Sequence, residues 1–90
     1  MKGSKLRAID RSPAGLPGFR FYCPGCDENH WFDSRWTFDG NMEEPTVAPS
    51  LLFLANKRCH LFVTKGTIVY LKDCEHYLAG KTVDMAVLGD

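Results

Sequence analysis

The 90-residue sequence has neither a long hydrophobic run nor an excess of one charge. No apolar stretch approaches the roughly 18 residues that a membrane-spanning helix needs, so we expect no association with a membrane. Its 11 basic residues balance 11 acidic ones. This lack of net positive charge argues against a general nucleic-acid binder. No apolar segment follows the basic residues at the N-terminus, so we expect no secretory signal and predict a cytoplasmic location.

Helical periodicity is also absent, because no stretch repeats apolar residues at the spacing of a helix face. Short apolar runs separated by Gly, Pro and Asp-Gly turns are typical of β-strands. We therefore predict a mainly β fold, a small zinc-ribbon-like domain with short irregular segments. It forms a single domain over 1–90, in which 1–18 hold a first strand and a loop. Strands are predicted at 5–9, 19–22, 35–38, 51–54, 60–64, 67–71 and 82–88, with one helical turn at 75–79.

The strongest chemical signal is the motif Cys23-Pro24-Gly25-Cys26. A Pro-Gly turn between two cysteines lets both thiolates face one centre, as in the knuckle of a zinc ribbon. The alternative for this spacing is a redox dithiol, but such a site opens a helix, and no helical pattern follows Cys26. In a reducing cytosol, cysteines are more often metal ligands or free thiols than disulfides.

A knuckle supplies two ligands, and the other candidates are Cys59, His60, Cys74 and His76, with His30 as a distant reserve. The predicted hairpin brings residue 59 beside residue 74, so these side chains meet at one end of it. Adjacent residues of a strand point to opposite faces, so only one of Cys59 and His60 faces a given metal. The pattern does not choose between them. A buried apolar cysteine or a hydrogen-bonded histidine is the simpler interpretation of any one candidate.

The order of motifs resembles a family of small phage and prophage proteins of unknown function. Such proteins are sometimes labelled ammonia monooxygenases, for which the sequence offers no chemical basis. In that family the position of Cys74 also holds serine, so the resemblance implies the zinc ligands Cys23, Cys26, His60 and His76, with Cys59 and Cys74 in reserve. It covers about residues 19 to 85 and includes the CPGC motif at 23–26, the Cys-His pair at 59–60, the DCxH motif at 73–76 and the LAG motif at 78–80.

Two classes of function fit a domain with these ligands. Thiolate-rich zinc sites are usually closed and structural, so we expect a Zn²⁺-stabilised interaction module that binds a host or phage protein in the host cytoplasm. The alternative is a small zinc-dependent hydrolase, in which three ligands leave one metal position open for water. Asp73 or Glu75 would then act as the general base.

Overall fold

The computed structural model describes residues 3–88, which form eight β-strands and, within that range, no helix. The strands make two antiparallel sheets, one of order β1-β2-β3 and one of order β4-β5-β6-β7-β8. The predicted mainly β fold is confirmed. The strands are β1 Arg7–Ile9, β2 Gly18–Cys23, β3 Glu28–Asp33, β4 Thr37–Phe38, β5 Val47–Phe53, β6 Cys59–Thr64, β7 Thr67–Tyr70 and β8 Thr82–Asp84.

In the first sheet, β2 and β3 form a hairpin whose connection is the Cys-Pro-Gly-Cys turn. The turn reverses the chain with Asp27 in the left-handed region at φ 53°, a conformation that Asp tolerates better than most residues. Strand β3 was not among the predicted strands, because its polar start, Glu28-Asn29, lacks the alternation of a typical strand. It forms nevertheless, since Phe32 and His30 point into the core from it.

In the second sheet, β6 and β7 form the hairpin that the sequence predicts. Its two-residue turn is Lys65-Gly66, with φ 47° and 79°, and positive φ at both positions matches the twist of the flanking strands. Strand β5 carries an irregularity in its pairing with β6, between Val47 and Leu51. A shift of register such as a β-bulge bends the strand and changes the direction of its side chains.

The core lies between the two sheets, where alternate residues of each strand point inward. On β6, Leu61 and Val63 are buried whereas Phe62 is 39% exposed. Burying each such apolar side chain contributes about 1.5–3 kcal/mol. Aromatic contacts join the two sheets. In one of them, the ring of His30 stacks on that of Phe53 at a centroid distance of 3.9 Å.

The chain after β7 differs from the prediction. The expected helical turn at 75–79 is a series of hydrogen-bonded turns that ends at Gly80, in the left-handed region at φ 76°. The last strand is also shorter than predicted, at Thr82–Asp84. Among the described residues, no helix is long and apolar enough to cross a membrane.

Candidate active site and Cys/His cluster

Three polar side chains, two from strands of the second sheet and one from the turn after β7, form one chain of hydrogen bonds. The imidazole of His60 lies between the other two, with Nε2 3.1 Å from Ser50 Oγ and Nδ1 3.2 Å from Asp73 Oδ2. With Nδ1–H donating to the carboxylate, Nε2 is left as the acceptor for the serine hydroxyl. This is the arrangement of a serine nucleophile, its general base and the carboxylate that orients the base.

The strands fix where each member lies. Ser50 lies in the irregular segment of β5 between Val47 and Leu51, and His60 is the second residue of β6. Both side chains lie on the sheet face away from the core. Asp73 comes from the turn after β7. That turn is tied to the start of β6 by two hydrogen bonds, because Glu75 N donates to Arg58 O at 2.9 Å and Glu75 Oε1 accepts from Arg58 N at 2.6 Å.

A second cluster lies on the buried side of β6. One ligand atom from each of four side chains lies within 4.8 Å of the others, and the four are Cys23, Cys26, His30 and Cys59. The Sγ atoms of Cys23 and Cys59 are 3.8 Å apart. Two thiolates on a tetrahedral zinc with Zn–S bonds of about 2.3 Å are separated by about 3.8 Å. The distance between these two sulfur atoms is therefore compatible with a metal site.

The electrostatics of the cluster favour one thiolate. The Cys59 thiol, as a hydrogen-bond donor, lowers the pKa of Cys23 to about 3 in spite of burial, and the same contact raises the pKa of Cys59. Tyr70 accepts a hydrogen bond from Gly25 N at 3.4 Å and donates its hydroxyl to Cys23 Sγ at 3.0 Å. Cys26 is different, since burial raises its pKa to about 11. A metal ion would favour deprotonation of all three thiols, because thiolates are the ligands.

His30 has a feature that ordinary core histidines lack. Its side chain is 3% exposed, and its Nε2 has no hydrogen-bond partner among the described residues. An unpaired buried nitrogen costs roughly 1–3 kcal/mol. One ring nitrogen of His30 lies within 4.8 Å of the sulfur atoms of Cys23, Cys26 and Cys59, so the imidazole is chemically suited to complete a four-ligand metal site.

A second group shares Cys59 with the first and adds Cys74 and His76. His76 Nε2 lies 3.4 Å from Cys59 Sγ, while its Nδ1 accepts a hydrogen bond from Leu78 N at 3.2 Å. A neutral imidazole that accepts at Nδ1 carries its proton on Nε2, so this geometry makes His76 a donor to sulfur. The ring packs on the knuckle so closely that a side chain on Gly25 would lie 2.6 Å from Nε2.

The structure thus divides the residues predicted as ligands. Cys23 and Cys26 lie together, as the knuckle requires, and Cys59 joins them from β6. His76 lies against the knuckle but groups with Cys59 and Cys74. His60 is in neither group, since its ring points to the opposite face of β6, toward Ser50 and Asp73.

Sequence reasoning missed Ser50 as a functional residue and considered Asp73 only beside a metal. No local motif marks this serine, because His60 follows it by 10 residues and Asp73 follows His60 by another 13. The signal that was present is the hairpin itself, which brings the start of β6 next to the turn after β7. On the outward face of the sheet, this proximity of the start of β6 to the turn after β7 places His60 beside Asp73.

Comparison with known families adds to this geometry. Residues 5–71 match the family described as bacterial ubiquitination-like system serine protease (BubE). The chain belongs to the BubE family. Ser50 and His60 lie inside the matched region, and Asp73 lies two residues beyond it. No curated protein and no solved structure matches the chain. BubE membership does not bear on the phage or prophage origin expected from the motifs, which stays a prediction.

Proposed function

We propose that the protein is a serine peptidase that uses Ser50 as nucleophile, His60 as general base and Asp73 to orient the base. The observation that carries the proposal is the position of one imidazole, with Ser50 Oγ at 3.1 Å and Asp73 Oδ2 at 3.2 Å on its two nitrogens. Such triads are recognised by geometry and not by their order in the sequence. The description of the BubE family as serine protease supports the same chemistry.

In acylation, Ser50 Oγ attacks the carbonyl carbon of the substrate while its proton passes to His60 Nε2. Asp73 stabilises the resulting imidazolium through Nδ1–H. The proton on Nε2 then passes to the leaving nitrogen as the carbon–nitrogen bond breaks, which leaves an ester on Ser50. Water, deprotonated by the same Nε2, attacks the ester and releases the acid product, and the proton returns to Ser50 Oγ.

The substrate under this proposal is an amide bond in a protein. The family description places its members in a bacterial ubiquitination-like system, so a bond at the C-terminal end of a protein modifier is the expected target. The protein partner that the sequence predicts is then the substrate. His60 is 26% exposed in its side chain and Asp73 45%, so the triad lies at the surface, where a bond in a folded protein could reach it.

A second part of the proposal assigns a structural zinc ion to Cys23, Cys26, Cys59 and His30. The sulfur spacing and the unpaired buried nitrogen of His30 support it. The ion, when bound, contributes folding energy and leaves no open position for water. It holds Cys59, the residue before His60, and so fixes the start of β6 at which the general base lies.

The proposed function is tested by labelling with an alkyl fluorophosphonate, which reacts with activated serine hydroxyls. We expect one phosphonyl group per chain, located on Ser50 by mass spectrometry of the peptide that contains it. The variants His60→Ala and Asp73→Ala should lose the label although they keep the serine. Labelling that persists in His60→Ala would contradict the triad.

The zinc-hydrolase alternative predicts the opposite response to inhibitors. An open metal position binds a hydroxamate, which displaces the metal-bound water. A closed four-ligand site does not, so a hydroxamate should leave hydrolysis unchanged while the fluorophosphonate abolishes it. Inhibition by the hydroxamate alone would favour the metal as catalyst.

A further inference from the structure

The outer edge of β5 is open beside Ser50. Leu71 N donates to His60 O, so the main chain of His60 faces β7, and that of Cys59 and Leu61 faces β5. Their partners on β5 are Phe53 and Leu51. Because main-chain groups alternate along a strand, those of Leu52 point away from β6.

Strand β4 covers only part of this outer edge. It pairs with Val47 and Ala48 and ends there. The indole Nε1 of Trp36 then donates to Ser50 O at 3.3 Å. Beyond this contact, no described strand pairs with the outer edge of β5, so the N–H and C=O of Leu52 lack a strand partner within residues 3–88.

A second edge strand, β3, lines one groove together with the segment that contains Leu52. Strand β3 is the last strand of its sheet, and the hydrogen bond from Ser34 N to Pro17 O sets the alternation so that Asn29 and Trp31 direct their main chain outward. The groove has a volume of about 410 Å³ and is lined by residues 28–31 of β3, by residues 52–55, which include Phe53, and by Pro13.

We propose that this groove binds the extended chain of the acyl donor, which pairs through its main chain with the outer edge of β5 at Leu52. The inference rests on the proposed function, since it places the bound strand next to Ser50. An added strand uses main-chain hydrogen bonds for affinity and requires little of the substrate sequence. The occupant is thus an extended peptide segment, and small residues suit the side of it that faces Phe53.

The acyl side of the substrate is assigned to the groove for a kinetic reason. The leaving group departs after the first step, whereas the acyl part must stay in register until water attacks. On the other side of Ser50, β4 and Trp36 already occupy the edge. Only the side that runs toward Leu52 and Leu54 can hold the retained part.

The test uses glycine esters, because glycine adds main chain and no side chain. The full-length protein is given the p-nitrophenyl esters of N-acetylglycine and of N-acetyltetraglycine, and kcat/KM is measured for each. We expect the longer ester to be at least tenfold better. In a series of single N-methylations of the longer ester, the gain should be lost at alternate amides only, since a paired strand directs every second N–H to its partner.

A variant of the groove sharpens the test. Ala55→Trp fills the groove and should remove the advantage of the tetraglycine ester over the short one. Ala86→Trp, also at an exposed alanine but after β8, should change neither. If Ser50 takes the fluorophosphonate and both esters react equally, the groove inference is overturned and the triad stands. If Ser50 takes no label and neither ester is hydrolysed, the proposed function fails and the inference fails with it.

Discussion

The two faces of β6 do different chemistry with adjacent residues. Cys59 points inward to sulfur and imidazole partners and is 0% exposed. His60 points outward, to the oxygen atoms of Ser50 and Asp73. The inner face suits a soft metal ion that remains bound, and the outer face suits a proton that must move. One strand can serve both because its side chains alternate with a period of two.

The turn after β7 repeats this division. Asp73 points to the triad, and the next residue, Cys74, points inward, where its thiol donates to His60 O at 3.1 Å and accepts from His60 N at 3.3 Å. The general base is thus held through its own main chain by the residue that follows its carboxylate partner. The cluster and the triad therefore share a backbone, while their side chains have separate roles.

We expect the largest loss of stability from Cys59→Ser, which removes a cysteine from the inner face of β6. It should remove the metal and unfold much of the chain, since structural zinc can contribute on the order of 10 kcal/mol to folding. The matched variant is His60→Ala, at the next residue. It should retain the metal and the melting temperature of the parent protein but no longer hydrolyse the substrate. Metal content and thermal unfolding of the two variants show which of the two residues binds the metal. A metal-free His60→Ala beside a metal-loaded Cys59→Ser would restore the ligand role that the sequence predicts for His60.

The next effect concerns the outer face alone. Ser50→Ala should lower kcat by about 10⁵-fold or more, because the nucleophile is lost while the other triad members remain. Melting temperature and bound metal should stay as in the parent protein. Ser34→Ala, at an exposed serine, is the control and should keep full activity. Hydrolysis of the tetraglycine ester by Ser50→Ala at the parent rate would exclude Ser50 as nucleophile.

A smaller loss is expected from Asp73→Asn. The amide keeps the size of the side chain but can present an N–H to His60 Nδ1, which favours the tautomer that cannot accept the serine proton. We expect kcat to fall by roughly 10²- to 10⁴-fold. The measurement is hydrolysis of the same ester, with Asp84→Asn on β8 as the matched exposed control. Equal activity of the two variants would remove Asp73 from the triad.

The smallest expected change in stability concerns Asp33, whose carboxylate lies on neither face of β6. It is buried, and hydrogen bonds from Arg35, then from Ser12, hold its pKa below the ordinary value. A carboxyl group whose pKa is depressed by folding stabilises the protein above the unfolded value of about 4 and loses that contribution as the pH falls below it. The melting temperature should therefore drop between about pH 4 and pH 2.

Removing the charge of Asp33 tests whether this carboxylate causes the loss of stability in acid. In Asp33→Asn the melting temperature should be lower at neutral pH and should change less across the acid range. Asp10→Asn, at an exposed carboxylate, should follow the parent protein. A parent-like acid transition in Asp33→Asn would mean that other carboxyl groups cause the acid loss.

The sequence predicted the β class, the knuckle and the β6–β7 hairpin, since each depends on local rules. Turn residues and alternation are visible in one segment of chain. The ligand contributed by β6 was not predictable, because period-two alternation assigns Cys59 and His60 to opposite faces without stating which face is buried. That choice depends on the first sheet, which packs on one face only.

The triad was still harder to predict from local sequence rules. Ser50 lies where the pairing of β5 with β6 is irregular, and an irregularity in strand pairing leaves little trace in composition. His30, predicted only as a distant reserve, lies on β3, a strand that the sequence pattern does not predict. Once β3 pairs with β2 in register, His30 lies opposite Phe21, two residues from Cys23. Both errors concern pairing between segments, and a single sequence does not specify pairing.

The open edge of β5 has a cost in solution behaviour. An unpaired strand edge accepts an identical strand from a second molecule as readily as a foreign one. Leu52 and Leu54 are 48% and 62% exposed beside it, which adds apolar area to such a contact. Pro49 has no N–H to offer, and Trp36 occupies the carbonyl of Ser50, so the run available for self-pairing is short. Dimers formed through this edge would cover the nucleophile, and the specific activity would fall as the protein concentration rises.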